Sequence, residues 1–185
     1  MTTNATLQAP GYLAGTWTID PIHSHVGFVI KHLMVSKVRG NFTAFTGQIT
    51  TADNILDSGV SATIESTSID TSNSMRDDHI RSADFFDAEN HPALTFVSSG
   101  LRSAGGEFFL DGNLTIRGIT KAVTLTVETP EFGANPQGGT KAGFSAITEI
   151  NRTDFGVSYK GPIPGGVALG EKVQIVLEIE ADLST

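Results

Sequence analysis

Apolar and polar residues alternate with a period of two along five stretches of the chain. A period of two is the spacing of side chains on one face of a β-strand, so each stretch predicts a strand with one buried and one wet face. Weaker alternation predicts further strands over residues 16–20, 93–101 and 141–151, which brings the count to eight or nine. The apolar members of the five stretches are Val26, Phe28 and Ile30; Val60, Ala62 and Ile64; Phe108, Leu110, Leu114 and Ile116; Val123, Leu125 and Val127; and Val173, Ile175, Leu177 and Ile179.

Two segments depart from this alternation. The parity of the apolar residues slips by one between Phe42 and Phe45, which predicts a β-bulge that bends the strand. Between residues 72 and 90 the apolar spacing becomes that of a helix. Ser72 or Ser74 is expected to cap the start of this helix, and His91–Pro92 is expected to end it.

A sheet of this many strands is expected to close into a barrel, because closure removes the exposed edges. The interior of an eight-stranded barrel either fills with side chains or holds one ligand. A membrane barrel would turn its apolar face outward and carry girdles of Trp and Tyr. This chain has one Trp and two Tyr against eleven Phe, so we place the apolar face inside.

The length of 185 residues and the composition indicate one globular domain, with residues 1–14 as an N-terminal tail and residues 15–185 as the barrel domain. No run of 18 apolar residues is present, which argues against a transmembrane helix. The net charge of −8 argues against nucleic acid as a partner. The absence of cysteine excludes disulfides, thiolate metal sites and a cysteine nucleophile.

The first residues contain no basic region followed by an apolar stretch, which is the pattern of a signal peptide. A cytoplasmic location is therefore expected.

Five blocks of sequence, in order along the chain, resemble those of one known family. They are WTIDPIHS at residues 17–24 with the strand that follows, RGNF at 39–42, RDDHIRSADFFD at 76–87, GNLTIRGIT at 112–120 and NRTDFG at 151–156. The family is the YceI-like proteins, which are described as polyisoprenoid-binding and lipocalin-like. The resemblance runs from about residue 15 to residue 183.

The resemblance implies an all-β fold, an extended eight-stranded antiparallel lipocalin-like barrel with one short helical segment. It also implies an interior pore for an isoprenoid quinone, a polyprenyl phosphate or an amide lipid, and often a homodimer. We therefore expect non-enzymatic binding, sequestration or transport of a long apolar lipid, which includes polyisoprenoids, isoprenoid quinones, fatty acids and their amides. No cofactor, catalytic residue, metal or stable membrane insertion is expected; the bound lipid or quinone is the ligand.

Phenylalanine suits the wall of a dry tube because its side chain needs no hydrogen-bond partner. Charged residues of the helical block are expected at the mouth of the tube, where a polar head group would need orienting contacts. The residues predicted to bind the ligand are Trp17, Val26, Phe28, Ile30, His32, Phe42, Phe45, Ile64, Arg76, His79, Phe86, Phe96, Phe108, Leu114 and Phe144.

Two alternatives stay open at the level of sequence. His23 and His25 lie two residues apart, so both can share one strand face and form part of a metal site with Asp20. His32 would point to the opposite face of a regular strand and cannot complete that site. A metal site formed by Asp20, His23 and His25 would make the protein a metal-dependent enzyme. The other alternative is a structural barrel whose core is filled by side chains.

Overall fold

The alternating stretches form strands that pair antiparallel within one large sheet. The structure is a computed structural model that describes residues 9–163 and 166–184. The one α-helix among the described residues, α1, spans Ser74–Arg81. The strands are β1 (Gly15–Ile19), β2 (His25–His32), β3 (Ser36–Phe42), β4 (Phe45–Thr51), β5 (Gly59–Glu65), β6 (Ile69–Asp70), β7 (Ala93–Ala104), β8 (Glu107–Ile116), β9 (Ile119–Val127), β10 (Glu131–Ala134), β11 (Thr140–Asn151), β12 (Pro162–Ile163), β13 (Gly166–Val167) and β14 (Leu169–Leu183).

The sheet closes into a barrel because β14 pairs along both of its edges. One edge pairs with β11, and the other pairs first with β2 and then with β1. Three of the eight barrel strands each consist of two consecutive segments with a break between them. These pairs of segments are β1 and β2, β3 and β4, and β5 and β6. Around the barrel the order is β14, β1/β2, β4/β3, β5/β6, β7, β8, β9 and β11. The predicted all-β, eight-stranded antiparallel barrel with one short helix is confirmed.

The apolar parity of the strands faces the barrel interior, as the alternation predicts. All apolar residues of the five alternating stretches line the interior, from Val26 on β2 to Ile179 on β14. The intervening positions face outward, with Lys31, Ser61 and Thr124 exposed on three different strands. Each strand therefore contributes one apolar face to the interior and one polar face to solvent.

The β-bulge predicted between Phe42 and Phe45 is wrong, because the chain turns a corner there between two strands. β3 ends at Phe42, which pairs with Val26 and Ile69. β4 begins at Phe45, which pairs with Ile64. A bulge and a corner both shift the parity of the chain, so alternation alone does not distinguish them.

The helix is shorter than predicted and has a different cap. α1 ends at Arg81 rather than at His91–Pro92, and turns fill the chain between them. Its N-cap is Asn73, whose side-chain oxygen accepts a backbone N–H of the first turn at 3.0 Å. Neither Ser72 nor Ser74 takes that role. Over the described part of the chain, no helix is both long and apolar enough to cross a membrane.

Part of the segment predicted as an N-terminal tail packs against the barrel. Ala9 is buried, and Tyr12 donates its hydroxyl to the carbonyl of Ala52 at 2.7 Å. The Tyr12 ring also lies edge-on to Phe132, with 5.5 Å between ring centroids. Residues 1–8 of the predicted tail lie outside the described residues. The assignment of residues 15–185 to one domain stays a prediction.

The turn between β2 and β3 holds two apolar residues in the left-handed region of the backbone. The φ angle is 52° at Leu33 and 58° at Met34, and the N–H of Val35 donates to the His32 carbonyl at 3.1 Å. Positive φ at both central residues is the mark of a type I′ turn, which strongly favours Asn-Gly. A residue with a Cβ costs roughly 1–2 kcal/mol in this region. The turn therefore keeps two apolar side chains at the expense of stability.

Replacing Leu33→Asn together with Met34→Gly should raise the free energy of unfolding by about 1 kcal/mol, because relief of backbone strain exceeds the entropy that glycine adds to the unfolded chain. Equilibrium unfolding in urea measures this change. The control Leu33→Ala with Met34→Ala removes the same side chains but keeps the strain, so it should not stabilise the protein. An Asn-Gly variant less stable than the wild type would contradict the left-handed turn.

Candidate ligand-binding cavity

The barrel encloses a cavity of about 520 Å³ whose wall is almost entirely apolar. All eight barrel strands contribute to this wall, as do α1 and the turns around residues 155–161. Sites for small organic molecules usually have volumes of roughly 300–1,000 Å³. An apolar cavity of this size excludes polar solutes, because a buried polar group without a hydrogen-bond partner costs free energy.

Fourteen of the fifteen residues predicted to bind the ligand line this cavity. His32 is half-buried at the end of β2, on the same inner face as Phe28 and Ile30. The fourteen residues on the wall are Val26, Phe28, Ile30, His32, Phe42, Phe45, Ile64, Arg76, His79, Phe86, Phe96, Phe108, Leu114 and Phe144.

Trp17 is the exception, because its side chain does not line the cavity. Its side chain is fully buried in a separate cluster with Ala142 and Ala181, outside the cavity wall. Its indole N–H donates to the Thr51 hydroxyl at 2.8 Å, and its ring lies 5.5 Å from that of Phe132. Trp17 therefore forms part of the packed core next to the cavity rather than its wall.

Glycines allow the large aromatic rings to lie flat against the barrel wall. Gly40 on β3 is the backbone partner of Phe28 on β2. A Cβ atom at Gly40 would stand 2.5 Å from Cζ of Phe28 and 2.9 Å from Cγ2 of Thr71, which is too close for either contact. Gly112 on β8 makes room in the same way for the ring of Phe96. These close approaches keep the rings on the wall and out of the middle of the cavity.

Thr71 links α1 to the barrel beside the cavity. Its backbone N–H and its hydroxyl both donate to Oδ1 of the buried Asp77, at 2.9 and 2.6 Å. Arg76 in turn donates from Nε to the Thr71 hydroxyl at 2.7 Å and from Nη2 to the Thr71 carbonyl at 2.8 Å. These bonds hold a guanidinium that is both exposed and on the cavity wall, so the cavity reaches solvent beside α1. We call this opening the α1 mouth, defined by Arg76 and His79.

His79 occupies the α1 mouth within an aromatic cluster. Its ring stands nearly perpendicular to those of Phe85 and Tyr159, with centroids 5.1 and 5.0 Å away. Its Nε2 is hydrogen-bonded to Oδ2 of Asp84 at 2.8 Å, and 43% of its side chain is exposed. His79 therefore offers a polar edge to solvent and an apolar face to the cavity. Arg81, which follows it on α1, instead donates to the carbonyls of residues 67 and 69 and does not line the cavity.

Arg117, at the turn between β8 and β9, fixes the chain that follows α1. Its Nη1 donates to the carbonyls of Ala83 and Phe85 at 2.6 and 2.7 Å. This segment carries Phe85 and Phe86 into the cavity wall. The position of both rings thus depends on Arg117, which lies 32 residues after Phe85 in the chain.

Several wall residues were missed at the level of sequence because they lie in turns without periodicity. Phe85 and Phe155 are 7% and 2% exposed, and Val157 and Tyr159 lie beside them on the wall. Their one signal is an apolar or aromatic side chain within polar surroundings.

Arg152 is a buried cation on the cavity wall. It is 5% exposed, and it donates from Nε to the Gly170 carbonyl at 2.8 Å and from Nη1 to the Val157 carbonyl at 2.7 Å. Burial lowers the pKa of Arg152, while the charge of Glu171 acts in the opposite sense. These bonds tie the turn that follows β11 to the start of β14.

The proposed metal alternative corresponds to a charged cluster on the outside of the barrel. Ligand atoms of Asp20, His23 and Glu180 lie within 4.8 Å of one another. The ammonium of Lys141 lies among these carboxylates, 3.3 Å from Asp20 and 2.7 Å from Glu180, so a cation already offsets part of their charge. His25 is exposed on β2 and does not join this group of ligand atoms. The structure therefore does not bring the predicted histidine pair together.

The contacts of this cluster shift two pKa values in opposite directions. The hydrogen bond with His23 is the largest cause that lowers the pKa of Asp20, from 3.8 to about 2, and the same bond raises the pKa of His23 above 6.5. The contribution of His23 to stability is therefore present below pH 6.5 and is lost as the pH rises through the folded-state pKa. That of Asp20 is present above pH 3.8 and is lost as the pH falls towards 2.

Replacing Asp20→Asn should move the pKa of His23 back towards 6.5, because the amide cannot stabilise the imidazolium charge. Titration of the imidazole signals by NMR measures this value in both proteins. Asp53→Asn, at an exposed carboxylate outside the cluster, is the matched control and should leave His23 unchanged. An unaltered His23 midpoint in Asp20→Asn would show that the pair does not form in solution.

The fold and the cavity together define a class of protein, the closed β-barrels with an apolar interior cavity. The YceI-like domain model matches residues 17–181, and the chain belongs to this family. The YceI protein of Escherichia coli O157:H7 is 36% identical over 160 residues, which cover 85% of this chain and 81% of that protein. The family resemblance seen in the five sequence blocks is therefore confirmed.

Solved structures share the barrel. BcnA of Burkholderia cenocepacia superposes with a TM-score of 0.74 at 28% identity, covering 88% of this chain and 98% of that one. A domain from Saccharophagus degradans superposes with a TM-score of 0.68 and covers 93% of this chain and all of its own length. At 12% identity, that second likeness concerns the fold alone.

Proposed function

We propose that the protein binds one long apolar molecule inside the barrel and sequesters or transports it without changing it chemically. The observation that carries this proposal is the cavity of about 520 Å³ with an almost entirely apolar wall. Burying an alkyl chain there is favourable by about 0.8 kcal/mol for each methylene group that leaves water. Much of this gain is offset by the ordering of chain and protein, so affinity depends on how well the wall excludes water.

The ligand we propose is a polyisoprenoid, an isoprenoid quinone, or a fatty acid or its amide. All of these molecules combine a long apolar chain with one small polar head. The chain suits the wall of phenylalanine and aliphatic residues, and the head suits the α1 mouth, where Arg76 and His79 reach solvent. The Saccharophagus degradans domain is a polyisoprenoid-binding domain and shares the fold, so a barrel of this architecture is compatible with a ligand of this class.

The two alternatives have less support in the geometry. A structural barrel with a filled core does not fit an interior that encloses an open cavity. An enzyme built around His23 and His25 would work on the outer surface, away from the cavity, and the ammonium of Lys141 already lies among the carboxylates there. Mass spectrometry of an organic extract of the purified protein tests the proposal directly, and a stoichiometric long-chain lipid is the expected result.

Replacing Phe28→Asp should abolish binding of a long-chain lipid, because it places a carboxylate in the cavity wall at a cost of several kcal/mol. Lys31→Asp, on the outward face of the same strand, should leave the affinity within about threefold, a change below roughly 1 kcal/mol. Displacement of a fluorescent fatty acid probe in solution, without vesicles, measures both affinities.

Circular dichroism establishes whether Phe28→Asp folds, and Phe28→Ala is the milder variant if it does not. A folded Phe28→Asp protein that binds the probe like the wild type would place the ligand outside the barrel.

Replacing Arg76→Glu should weaken binding of a polyprenyl phosphate by at least tenfold but change binding of a neutral isoprenoid quinone much less. The reason is that the guanidinium held at the α1 mouth attracts an anionic head, and a carboxylate there repels it. Isothermal titration calorimetry with the two ligands gives both affinities. Arg102→Glu, at an exposed, outward-facing position of β7, is the matched charge control. Equal effects of Arg76→Glu on both ligands would remove head-group recognition from the proposal.

Two expectations about the surroundings of the protein stay predictions. One is the homodimer, which sedimentation velocity of the purified protein measures. The other is the cytoplasmic location, which cell fractionation measures.

A further inference from the structure

The tip of the β2–β3 hairpin carries three exposed apolar side chains in a row. Leu33, Met34 and Val35 are 43%, 65% and 88% exposed. Isolated exposed apolar residues are common on soluble proteins, but contiguous ones rimmed by polar residues mark interaction surfaces. We call Leu33, Met34 and Val35 the hairpin tip.

The backbone of the turn does not require these side chains. Leu33 and Met34 both have positive φ, a conformation that Asn and Gly adopt at lower cost. Apolar side chains that stay 43% and 65% exposed in strained backbone point to a role outside the folded monomer.

The strands beside the hairpin tip carry a local excess of positive charge. Lys31 and Lys37 are direct cross-strand partners and both are exposed, and Arg39 is exposed two residues further along β3. Like charges placed opposite each other destabilise a strand pair. Among the described residues, none of these three cations forms an ion pair within 4 Å. A protein with a net charge of −8 thus presents a cationic patch around an apolar tip.

The hairpin tip also continues the wall of the cavity. Ile30, His32 and Val38, on the inner face of the same two strands, line the cavity. The N–H of Leu33 donates to the carbonyl of Ala168 at 2.7 Å, which attaches the tip to the chain just before β14. The tip is therefore held at one end of the cavity wall.

We propose that the hairpin tip docks the protein reversibly on the surface of an anionic lipid bilayer. The three apolar side chains would enter the head-group region while Lys31, Lys37 and Arg39 face anionic lipid phosphates. An apolar tip beside exposed cations matches an anionic bilayer, because the bilayer has an apolar region beneath its negatively charged head groups. Docking in this orientation would bring the cavity wall close to the membrane, where long-chain lipids reside. The proposal goes beyond ligand binding and does not depend on which lipid the cavity holds.

Flotation with vesicles tests the docking surface. The probes are vesicles of phosphatidylcholine with 30% phosphatidylglycerol and vesicles of phosphatidylcholine alone. Wild-type protein should float with the anionic vesicles, and much less with the neutral vesicles or in 0.5 M NaCl, because salt screens the exposed charges. Equal flotation with both kinds of vesicle, unaffected by salt, would overturn the electrostatic part of the proposal.

The tip variant combines Leu33→Asn, Met34→Gly and Val35→Ser, and its partition onto anionic vesicles should fall by at least tenfold. Its first two changes are expected to stabilise the turn, so loss of docking cannot be attributed to unfolding. Ile22→Ser is the matched control, because Ile22 is 85% exposed in another turn, next to the charged cluster in which carboxylates outnumber cations. Equal flotation of the tip variant and the wild type would overturn the proposal, as would an equal loss in Ile22→Ser.

The charge variant combines Lys31→Glu and Lys37→Glu, and it should also lose at least tenfold, since each cation near an anionic surface contributes roughly fivefold. Arg102→Glu with Lys121→Glu makes the same change at exposed positions of β7 and β9, strands that do not neighbour the hairpin, and should have a smaller effect. A larger effect of these control changes would assign the docking charge to another surface.

Two further measurements separate this proposal from the proposed function and from binding of a second copy. Phe28→Asp should lose the fluorescent fatty acid but still float, whereas the tip and charge variants should keep the fatty acid but not float. Sedimentation velocity without vesicles tests a second copy as the occupant of the tip. A dimer that the tip variant dissociates, together with no flotation of the wild type, would replace the bilayer by the second copy.

Discussion

Pairing of β14 along both of its edges is the constraint on which the rest of the structure depends. Eleven consecutive residue pairs join β14 to β11, and its other edge meets β2 and then β1, so one strand closes the sheet. Closure leaves a single interior, and every strand must turn its apolar face towards it. A slip of one residue in any register would reverse that strand's faces and expose its apolar side chains. The register of the barrel and the apolar character of the cavity are therefore enforced by the same pairing.

An open interior is a second consequence, and it depends on where large and small residues meet. The Phe28 ring lies over Gly40 and the Phe96 ring lies over Gly112, so bulky side chains lie on the wall instead of meeting in the middle. Trp17, by contrast, packs against the small residues Ala142 and Ala181 on the inner faces of their strands, next to the cavity, and fills the core there. Aromatic side chains thus line the cavity where a glycine lies beneath the ring, as at Phe28 and Phe96, and fill the core where small residues surround the ring, as at Trp17. An interior kept open in this way leaves apolar surface available for a ligand, whose binding would stabilise the folded state.

Much of the fold could be predicted from sequence because a period of two translates directly into one face of a strand. Phe28 and Leu114 lie on the cavity wall for that reason. Features that depend on the meeting of distant segments could not be predicted. The corner after Phe42 shifts the parity of the chain just as a bulge would. The structure distinguishes the corner from a bulge because β3 and β4 pair with different strands. Tyr159 and Phe85 reach the wall from turns, held in part by the carbonyl contacts of Arg117, and no local pattern encodes such a contact.

The β2–β3 hairpin carries residues that are unfavourable for its turn, and binding of a partner at the tip, as proposed above, would explain why they are kept. Consistent local and global preferences are the norm in natural sequences, and conflicts between them concentrate at functional sites. Here the conflicts coincide: positive φ at Leu33 and Met34, and two lysines placed opposite each other on the adjoining strands. Each of them lowers the stability of the hairpin, and none is compensated by burial at the tip, where Val35 is 88% exposed. Because Ile30, His32 and Val38 on the inner face of the same hairpin line the cavity, a partner that compensates these costs would bind next to one end of the cavity wall.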